Sequence, residues 1–344
     1  MPVRVLIIDD SATMRAILAA RLSGVADILV VGMASNAAEG RQLIKELEPD
    51  VVTLDIEMPG MNGLDFLDKI MTLRPTPVIM VSSLTQANSD QTARALALGA
   101  VDCYCKTDFS GSAMDDGGKL AGMVREASRV RVRRRAPELA QMAMPVKAAN
   151  RETRIIAVGS STGGVEALQV LLGHFPEDCP PTVIVQHVDA RFAPAIARTL
   201  DSSSRAQVVL AEADMPLKRG SVYLAPGGER HMLVAGGSMP HIKLRPGDPV
   251  SGHRPSVDAL FQSVAAAMGR DAVGILLTGM GADGAHGLLA MAKAGAHTIA
   301  QDEASCTVFG MPRVAISLGA ANVVAPIGAI AQHALGLGSR DHVL

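Results

Sequence analysis

Three polar residues far apart in the chain are of the types needed for acyl transfer: Ser161, His187 and Asp283. A serine hydroxyl is a weak nucleophile until a base takes its proton. A histidine can do that near neutral pH, and a carboxylate can orient the imidazole and stabilise its charged form. Backbone N–H groups of the Met280-Gly281 loop, and the helix terminus at Ser161 and Thr162, could hold an oxyanion. A second set points to other chemistry. Asp9, Asp10 and Asp55 are carboxylates that repel one another if they share a cleft, which disfavours their ionised forms. A divalent cation relieves that repulsion, and hard oxygen ligands with open water positions suit Mg²⁺. Lys106 offers a point charge for a phosphoryl group, Ser82 a hydroxyl donor, and Asp55 a nucleophile that could take up phosphate.

These residues need elements that bring them together. In the N-terminal part, Val3–Asp9, Ile28–Met33, Val51–Asp55, Pro77–Val81 and Ala100–Cys105 read as buried strands. They alternate with helical patterns such as Ala37–Leu47 and Gly63–Met71. Strands alternating with helices imply a parallel sheet with right-handed crossovers. With strand order 2-1-3-4-5, Asp9, Asp10 and Asp55 crowd at the carboxyl edge, where such sheets bind ligands. In the C-terminal part, Ile155–Val158, Thr182–His187 and Ala272–Thr278 are apolar strands that end at or just before Ser161, His187 and the loop holding Asp283. The short strands Val208–Leu210, Val222–Leu224, Met232–Val234 and Ile242–Leu244, separated by Gly, Pro and Asp turns, are expected to form an antiparallel excursion.

The turn after Ile155–Val158 admits three readings. Ser161 or Thr162 could cap the following helix. The turn could bind phosphate, although the Gly-x-Gly-x-x-Gly and Walker patterns are absent. Or Gly159-Ser160-Ser161-Thr162-Gly163, a literal Gly-x-Ser-x-Gly, could present a nucleophile. The order Ser…His…Asp departs from the Ser…Asp…His of α/β-hydrolases, so that fold is not implied. His253, His286 and His297 also lie in places where a base could sit.

Composition limits the remaining classes. The 344 residues suit about two domains, and 48% are hydrophobic. Aromatics make up 2% of the chain and the net charge is −2, which argues against nucleic-acid partners. Cys103, Cys105, Cys179 and Cys306 form no metal-ligand spacing and suit a reducing compartment. No apolar run reaches about 18 residues, so no membrane insertion is expected. Pro2 and Arg4 enter a strand without a signal-peptide pattern, so a cytoplasmic location is expected. The arginines between Arg129 and Arg135 and the following Pro- and Ala-rich stretch read as a solvated linker. The expected organisation is therefore 1–130, a linker at 131–152, and a second domain at 153–344.

Residues 3–130 resemble the receiver domain of response regulators, through Asp9, Asp10, Asp55, Ser82 and Lys106. The resemblance implies phosphorylation of Asp55, with Asp9, Asp10, Asp55 and the carbonyl of Glu57 around Mg²⁺. It departs from the family where Thr107 replaces the usual proline after the lysine, and where Cys103, not an aromatic, precedes the lysine by three. Residues 153–337 resemble the catalytic domain of chemotaxis protein-glutamate methylesterases (the CheB family). The motifs are Gly-Ser-Ser-Thr-Gly-Gly, Val-Gln-His, His-Arg-Pro-Ser-Val-Asp and Leu-Thr-Gly-Met-Gly-Ala-Asp-Gly. The resemblance implies Ser161 as nucleophile, His187 as base and Asp283 as the orienting acid, with no cofactor for ester hydrolysis. It further implies a chemotaxis histidine kinase as phosphodonor, methyl-accepting receptors as substrate, an unphosphorylated receiver that covers the hydrolase cleft, and a monomer at receptor arrays. The competing expectation is a non-catalytic signalling adaptor that binds a phosphorylated small molecule in its second domain.

Overall fold

The computed structural model describes residues 1–82, 86–106, 118–130, 132, 155–237 and 239–336, with the side chains of 86–88 left aside. The chain divides into two compact units, Met1–Leu139 and Ala140–Leu344. The stretch read as a linker, 131–152, lies outside the described residues except for residue 132, and so does Thr107.

In the first unit the elements are β1 (Val3–Ile8), α1 (Ala12–Ser23), β2 (Ile28–Ala34), α2 (Ala37–Leu47), β3 (Val51–Asp55), α3 (Gly63–Leu73), β4 (Val78–Ser82), α4 (Gln86–Ala97), β5 (Asp102–Cys105) and α5 (Lys119–Ala127). The sheet is parallel in the order β2-β1-β3-β4-β5, as the alternation of strands and helices predicts. Residues 51–55 and 78–82 are buried throughout, because helices cover both faces of the central strands. Ser11, Asn36 and Asn62 cap α1, α2 and α3 by accepting from backbone N–H groups three residues on. The chain leaves β1 toward β2 on one side and β3 on the other, so the order reverses beside β1. Asp9, Asp10 and Asp55 therefore end strands that flank the crevice.

The second unit contains β6 (Ile155–Ser160), α6 (Gly164–Gly173), β7 (Thr182–Gln186), α7 (Ala193–Ser202), β8 (Gln207–Leu210), β9 (Ser221–Leu224), β10 (Arg230–Ala235), β11 (His241–Pro246), α8 (Val257–Met268), β12 (Ala272–Leu276), α9 (Ala285–Lys293), β13 (His297–Gln301), α10 (Met311–Ser317), β14 (Val323–Ala325) and α11 (Ile327–Ala334). Seven parallel strands follow the order β14-β13-β12-β6-β7-β9-β8. Here the order reverses at β6, with β7 on one side and β12 on the other. The segments after β6, β7 and β12 carry Ser161, His187 and Asp283, so one sheet edge collects all three.

One expectation needs correction, and one of the three readings of the turn at Ser161 falls away. The antiparallel excursion is only the pair β10–β11; β8 and β9 join the main sheet in parallel. The connector 211–220 does not turn tightly but runs beside β11, the Asp214 amide donating to the Ile242 carbonyl and the Ile242 amide to the Met215 carbonyl, both at 2.9 Å. Its return is pinned by the Tyr223 hydroxyl, which donates to the Pro216 carbonyl at 2.8 Å, and by a bridge from Pro216 to His241. Nor does a serine or threonine side chain cap α6. Its N-cap is Gly163, at φ 74°, so the hydroxyls of 161 and 162 are left for other work.

Candidate functional site

In the second unit, His187 and Asp283 meet. His187 Nε2 lies 2.8 Å from Asp283 Oδ2, and the two side chains are 9% and 0% exposed. Asp283 sits at the amino end of α8 and accepts three further hydrogen bonds. The Ser256 hydroxyl and the Asp258 amide donate to Oδ1 at 2.7 and 2.9 Å, and the Val257 amide donates to Oδ2 at 2.8 Å. Helix amides and the positive end of the dipole favour the carboxylate. Burial works against the charge, but the His187 hydrogen bond, the Asp258 amide and the Ser256 hydroxyl together hold Asp283 below the usual carboxylate range. His231 supports this cap from behind. Its Nδ1 accepts from the Ser256 amide at 3.2 Å, which places its own proton on Nε2, 2.9 Å from the Asp248 carbonyl.

Because Nε2 faces Asp283, Nδ1 is the imidazole nitrogen left free of the carboxylate. It is buried without a hydrogen-bond partner among the described residues. Ser161 follows β6 on the same edge, and the His187 amide donates to the neighbouring Ser160 carbonyl at 3.0 Å. The Ser161 hydroxyl makes no hydrogen bond to a described residue, so serine and imidazole stand side by side in the chain path without being joined in this conformation. The Ser161 amide donates to the Thr278 carbonyl at 3.0 Å, which binds the turn at Ser161 to the glycine-rich loop after β12. A Cβ on Gly279 would fall 2.7 Å from Ser161 Cβ, so only glycine lets the two backbones approach this closely. Beyond it the amides of Met280 and Gly281 donate to no described residue, which leaves two N–H groups for an oxyanion. Gln301 steadies this loop by accepting from the Thr278 amide at 2.8 Å. Thr162 contributes through its carbonyl, which accepts from the Thr278 hydroxyl at 3.0 Å.

Three contributors have no role that the sequence alone assigns. His253 stacks on His187, with centroids 3.8 Å apart and planes at 8°. Burial, then the charge of His187, lower its pKa, while Asp283 opposes the shift. Ser256 reads as a helix cap, and it is one, but its hydroxyl also holds Asp283. Gln186 reads as a polar interruption of β7. A buried amide at the end of an apolar strand is a signal in itself, since it must find partners.

The first unit builds the other constellation. Carboxylate oxygens of Asp9, Asp10 and Asp55 all lie within 4.8 Å of one another. Lys106 Nζ lies 2.7 Å from Asp55 Oδ1 and 3.1 Å from Asp9 Oδ2. Burial pushes the Asp55 carboxyl up to about 6; the hydrogen bond from Lys106 lowers it and the Asp9 charge raises it. Burial opposes the Lys106 ammonium, yet Asp55 and Asp9 hold its pKa above the ordinary lysine value. The Glu57 amide lies 3.4 Å from Asp55 Oδ1, and its side chain is exposed. Ser82 is buried and its hydroxyl accepts from Thr92 of α4 at 3.3 Å. Tyr104, two residues before Lys106, is fully buried and bonded to Arg21 of α1, and Cys103, three residues before Lys106, is a buried thiol. Close carboxylates with hard oxygens are a donor set that fits a small divalent cation.

The sequence matches two family descriptions: CheB methylesterase over residues 156–334 and response regulator receiver domain over residues 5–110. A Caulobacter vibrioides protein named protein-glutamate methylesterase/protein-glutamine glutaminase 1 is 52% identical over 343 residues, which cover 98% of each chain. A Rhizobium johnstonii protein of the same name is 51% identical over 335 residues, covering 97% of this chain and 96% of that one. Among solved structures, the Thermotoga maritima CheB methylesterase catalytic domain superimposes with a TM-score of 0.52. It is 34% identical and covers 54% of this chain and 98% of its own.

Proposed function

This chain belongs to the CheB methylesterase family, and on that premise we propose that Ser161, His187 and Asp283 hydrolyse glutamyl methyl esters on chemoreceptors under control of the receiver. The same acyl chemistry deamidates glutamines, as the names of the relatives state for those proteins. The observation that carries the reading is the His187–Asp283 pair, whose second imidazole nitrogen is buried and unengaged at the edge where Ser161 sits. An adaptor without catalysis has no use for that arrangement, and relatives named as esterases do not favour it.

The proposed steps use these groups in turn. Ser161 Oγ attacks the ester carbonyl carbon while His187 Nδ1 takes the hydroxyl proton. Asp283, held ionised, stabilises the imidazolium through Nε2. The amides of Met280 and Gly281 receive the oxyanion, with Thr162 beside them. The tetrahedral species collapses, His187 gives its proton to the departing oxygen, and methanol leaves. Water then repeats the sequence on the γ-glutamyl ester of Ser161, freeing the glutamate and the serine; with glutamine, ammonia is the first product.

Asp55 is the proposed phosphate acceptor, with Ser82 and Lys106 contacting the phosphoryl oxygens. Asp9, Asp10, Asp55 and the Glu57 carbonyl would hold Mg²⁺, which when bound offsets the charge of the acceptor and phosphoryl group. A chemotaxis histidine kinase as donor, methyl-accepting receptors at arrays as substrate, a monomeric state, and a linker near 131–152 between domains at 1–130 and 153–344 belong to the same proposal. Among the described residues no helix is long and apolar enough to cross a membrane. The test is methanol release from methylated receptor, with and without a small phosphodonor. Release that rises with the donor is expected; no release under either condition contradicts the proposal.

A further inference from the structure

We propose that Gln186 is a positioning residue for this hydrolysis, its carboxamide fixing the separation between Ser161 and His187. The inference rests on the assignment of those two as nucleophile and base. Gln186 is the last residue of β7 and is 5% exposed. Its Nε2 donates to the carbonyls of Ser161 at 2.8 Å and of His187 at 3.0 Å, which uses both amide hydrogens. Its Oε1 accepts from the Ser160 hydroxyl at 2.6 Å. Each polar atom of the carboxamide is therefore engaged, and the group has no freedom to rotate without leaving a buried partner unmade.

The position of this bridge in the fold gives it meaning. The ladder between β6 and β7 ends with Ser160 opposite Gln186 and the His187 amide on the Ser160 carbonyl. One residue further, the two strands part: residue 161 enters the turn before α6 and residue 187 enters the loop before α7. The Gln186 amide ties their backbones just past that point. Among the described residues no side-chain bond does the same, since Nδ1 of His187 is unpartnered there and the Ser161 hydroxyl makes no hydrogen bond. The first residue of α6 is shaped around the bridge as well. A Cβ on Gly164 would stand 2.0 Å from Gln186 Oε1, so any larger residue there would evict the carboxamide. Strand residues 182–185 fill their places with methyl-bearing side chains, and a leucine at 186 would pack without demanding partners. The structure instead buries an amide whose hydrogen bonds end on the two residues that must approach each other.

The test uses the full chain with a phosphodonor and methylated receptor, comparing wild type with Gln186→Met and Gln186→Glu. Methionine keeps the volume and loses every hydrogen bond; glutamate keeps an acceptor for Ser160 but turns a carboxylate oxygen toward two carbonyls. Misplacing reacting groups by about 1 Å costs on the order of 100-fold, so kcat should fall about 30- to 100-fold in both variants while KM stays within about twofold. The rate at which a serine-reactive phosphonate labels Ser161 should fall by the same factor. Methionine or glutamate at wild-type kcat overturns the inference, as does a loss that appears in KM alone. Failure of both variants to fold also overturns it, in favour of a purely structural amide. Activity that survives Ser161→Ala instead overturns the assignment of the nucleophile beneath it, a separate result from an insensitive Gln186.

Discussion

Replacing Asp283 by asparagine tests the electrostatic core of the site. In the wild-type protein both carboxylate oxygens only accept: Oδ1 from Ser256 and Asp258, Oδ2 from Val257 and His187. An asparagine must place its NH₂ on one of these sides. Toward Oδ1 it would face a helix amide and a hydroxyl that already donate. Toward Oδ2 it faces the Val257 amide and Nε2, where the imidazole can relieve the conflict by moving its proton to Nδ1. That tautomer cannot accept the Ser161 proton. In serine proteases the corresponding change costs about 10⁴ in kcat, or about 5 kcal/mol of barrier. One helix donor left unpaired costs about 1–3 kcal/mol of stability in addition. The expected outcome is thus a folded protein whose thermal midpoint drops modestly and whose methanol release falls about 10⁴-fold at neutral pH, with KM little changed. The assay is steady-state methanol release from methylated receptor, with circular dichroism as the folding control. A variant that retains a tenth or more of wild-type kcat would refute the reasoning, because the imidazole would then not depend on the carboxylate for its tautomer.

Two further outcomes follow from groups with shifted titration. His253 faces His187 across 3.8 Å and Asp283 beyond it, and its depressed pKa means it is neutral at the working pH and gains its proton only in acid. A cation gained there opposes the positive charge that the His187 imidazole must take on when it accepts the Ser161 proton. The acid limb of the kcat/KM profile should therefore fall more steeply in wild type than in His253→Phe, which keeps a stacked ring without the charge; identical limbs would contradict this. In the receiver, the Asp55 carboxyl titrates near 6 in the folded state against 3.8 for the free side chain. Its folded pKa is raised, so the folded form binds the extra proton between those values. Ionised Asp55 therefore costs stability above pH 6, and the cost fades as pH falls toward 4. Asp55→Asn should stabilise the receiver by up to about 2–3 kcal/mol in metal-free buffer above that midpoint and by little in acid, checked by denaturant unfolding across pH. An equal effect at every pH would contradict it.

Much of this arrangement is written in the sequence, for identifiable reasons. Central strands covered on both faces must be apolar blocks, so β3, β4, β6, β7 and β12 announce themselves, and the polar residue just past each is displayed at one edge. That is why Asp55, Ser161 and His187 could be picked out by position alone. What the sequence withholds depends on contacts between distant segments. Ser256 shows its local role as a cap, three residues from the amide it accepts, but its bond to Asp283 spans 27 residues. The ring flip that turns Nε2 toward Asp283 has no local signature. Strands β8 and β9 are too short for alternation to reveal direction, and only the path of 211–220 decides it. The hydroxyls of 161 and 162 look like caps because Ser and Thr usually are. Gly163, at a positive φ, takes the N-cap position instead, with no side-chain cap.

The central claim is that one serine becomes covalently acylated with the help of one imidazole. The most direct measurement is rapid acid quench of the enzyme turning over a methylated receptor peptide, followed by mass spectrometry of its proteolytic fragments. The account predicts a γ-glutamyl adduct on Ser161, absent in Ser161→Ala and not formed at a measurable rate when His187 is replaced by alanine. An adduct on another residue, or full hydrolysis by Ser161→Ala, would contradict it.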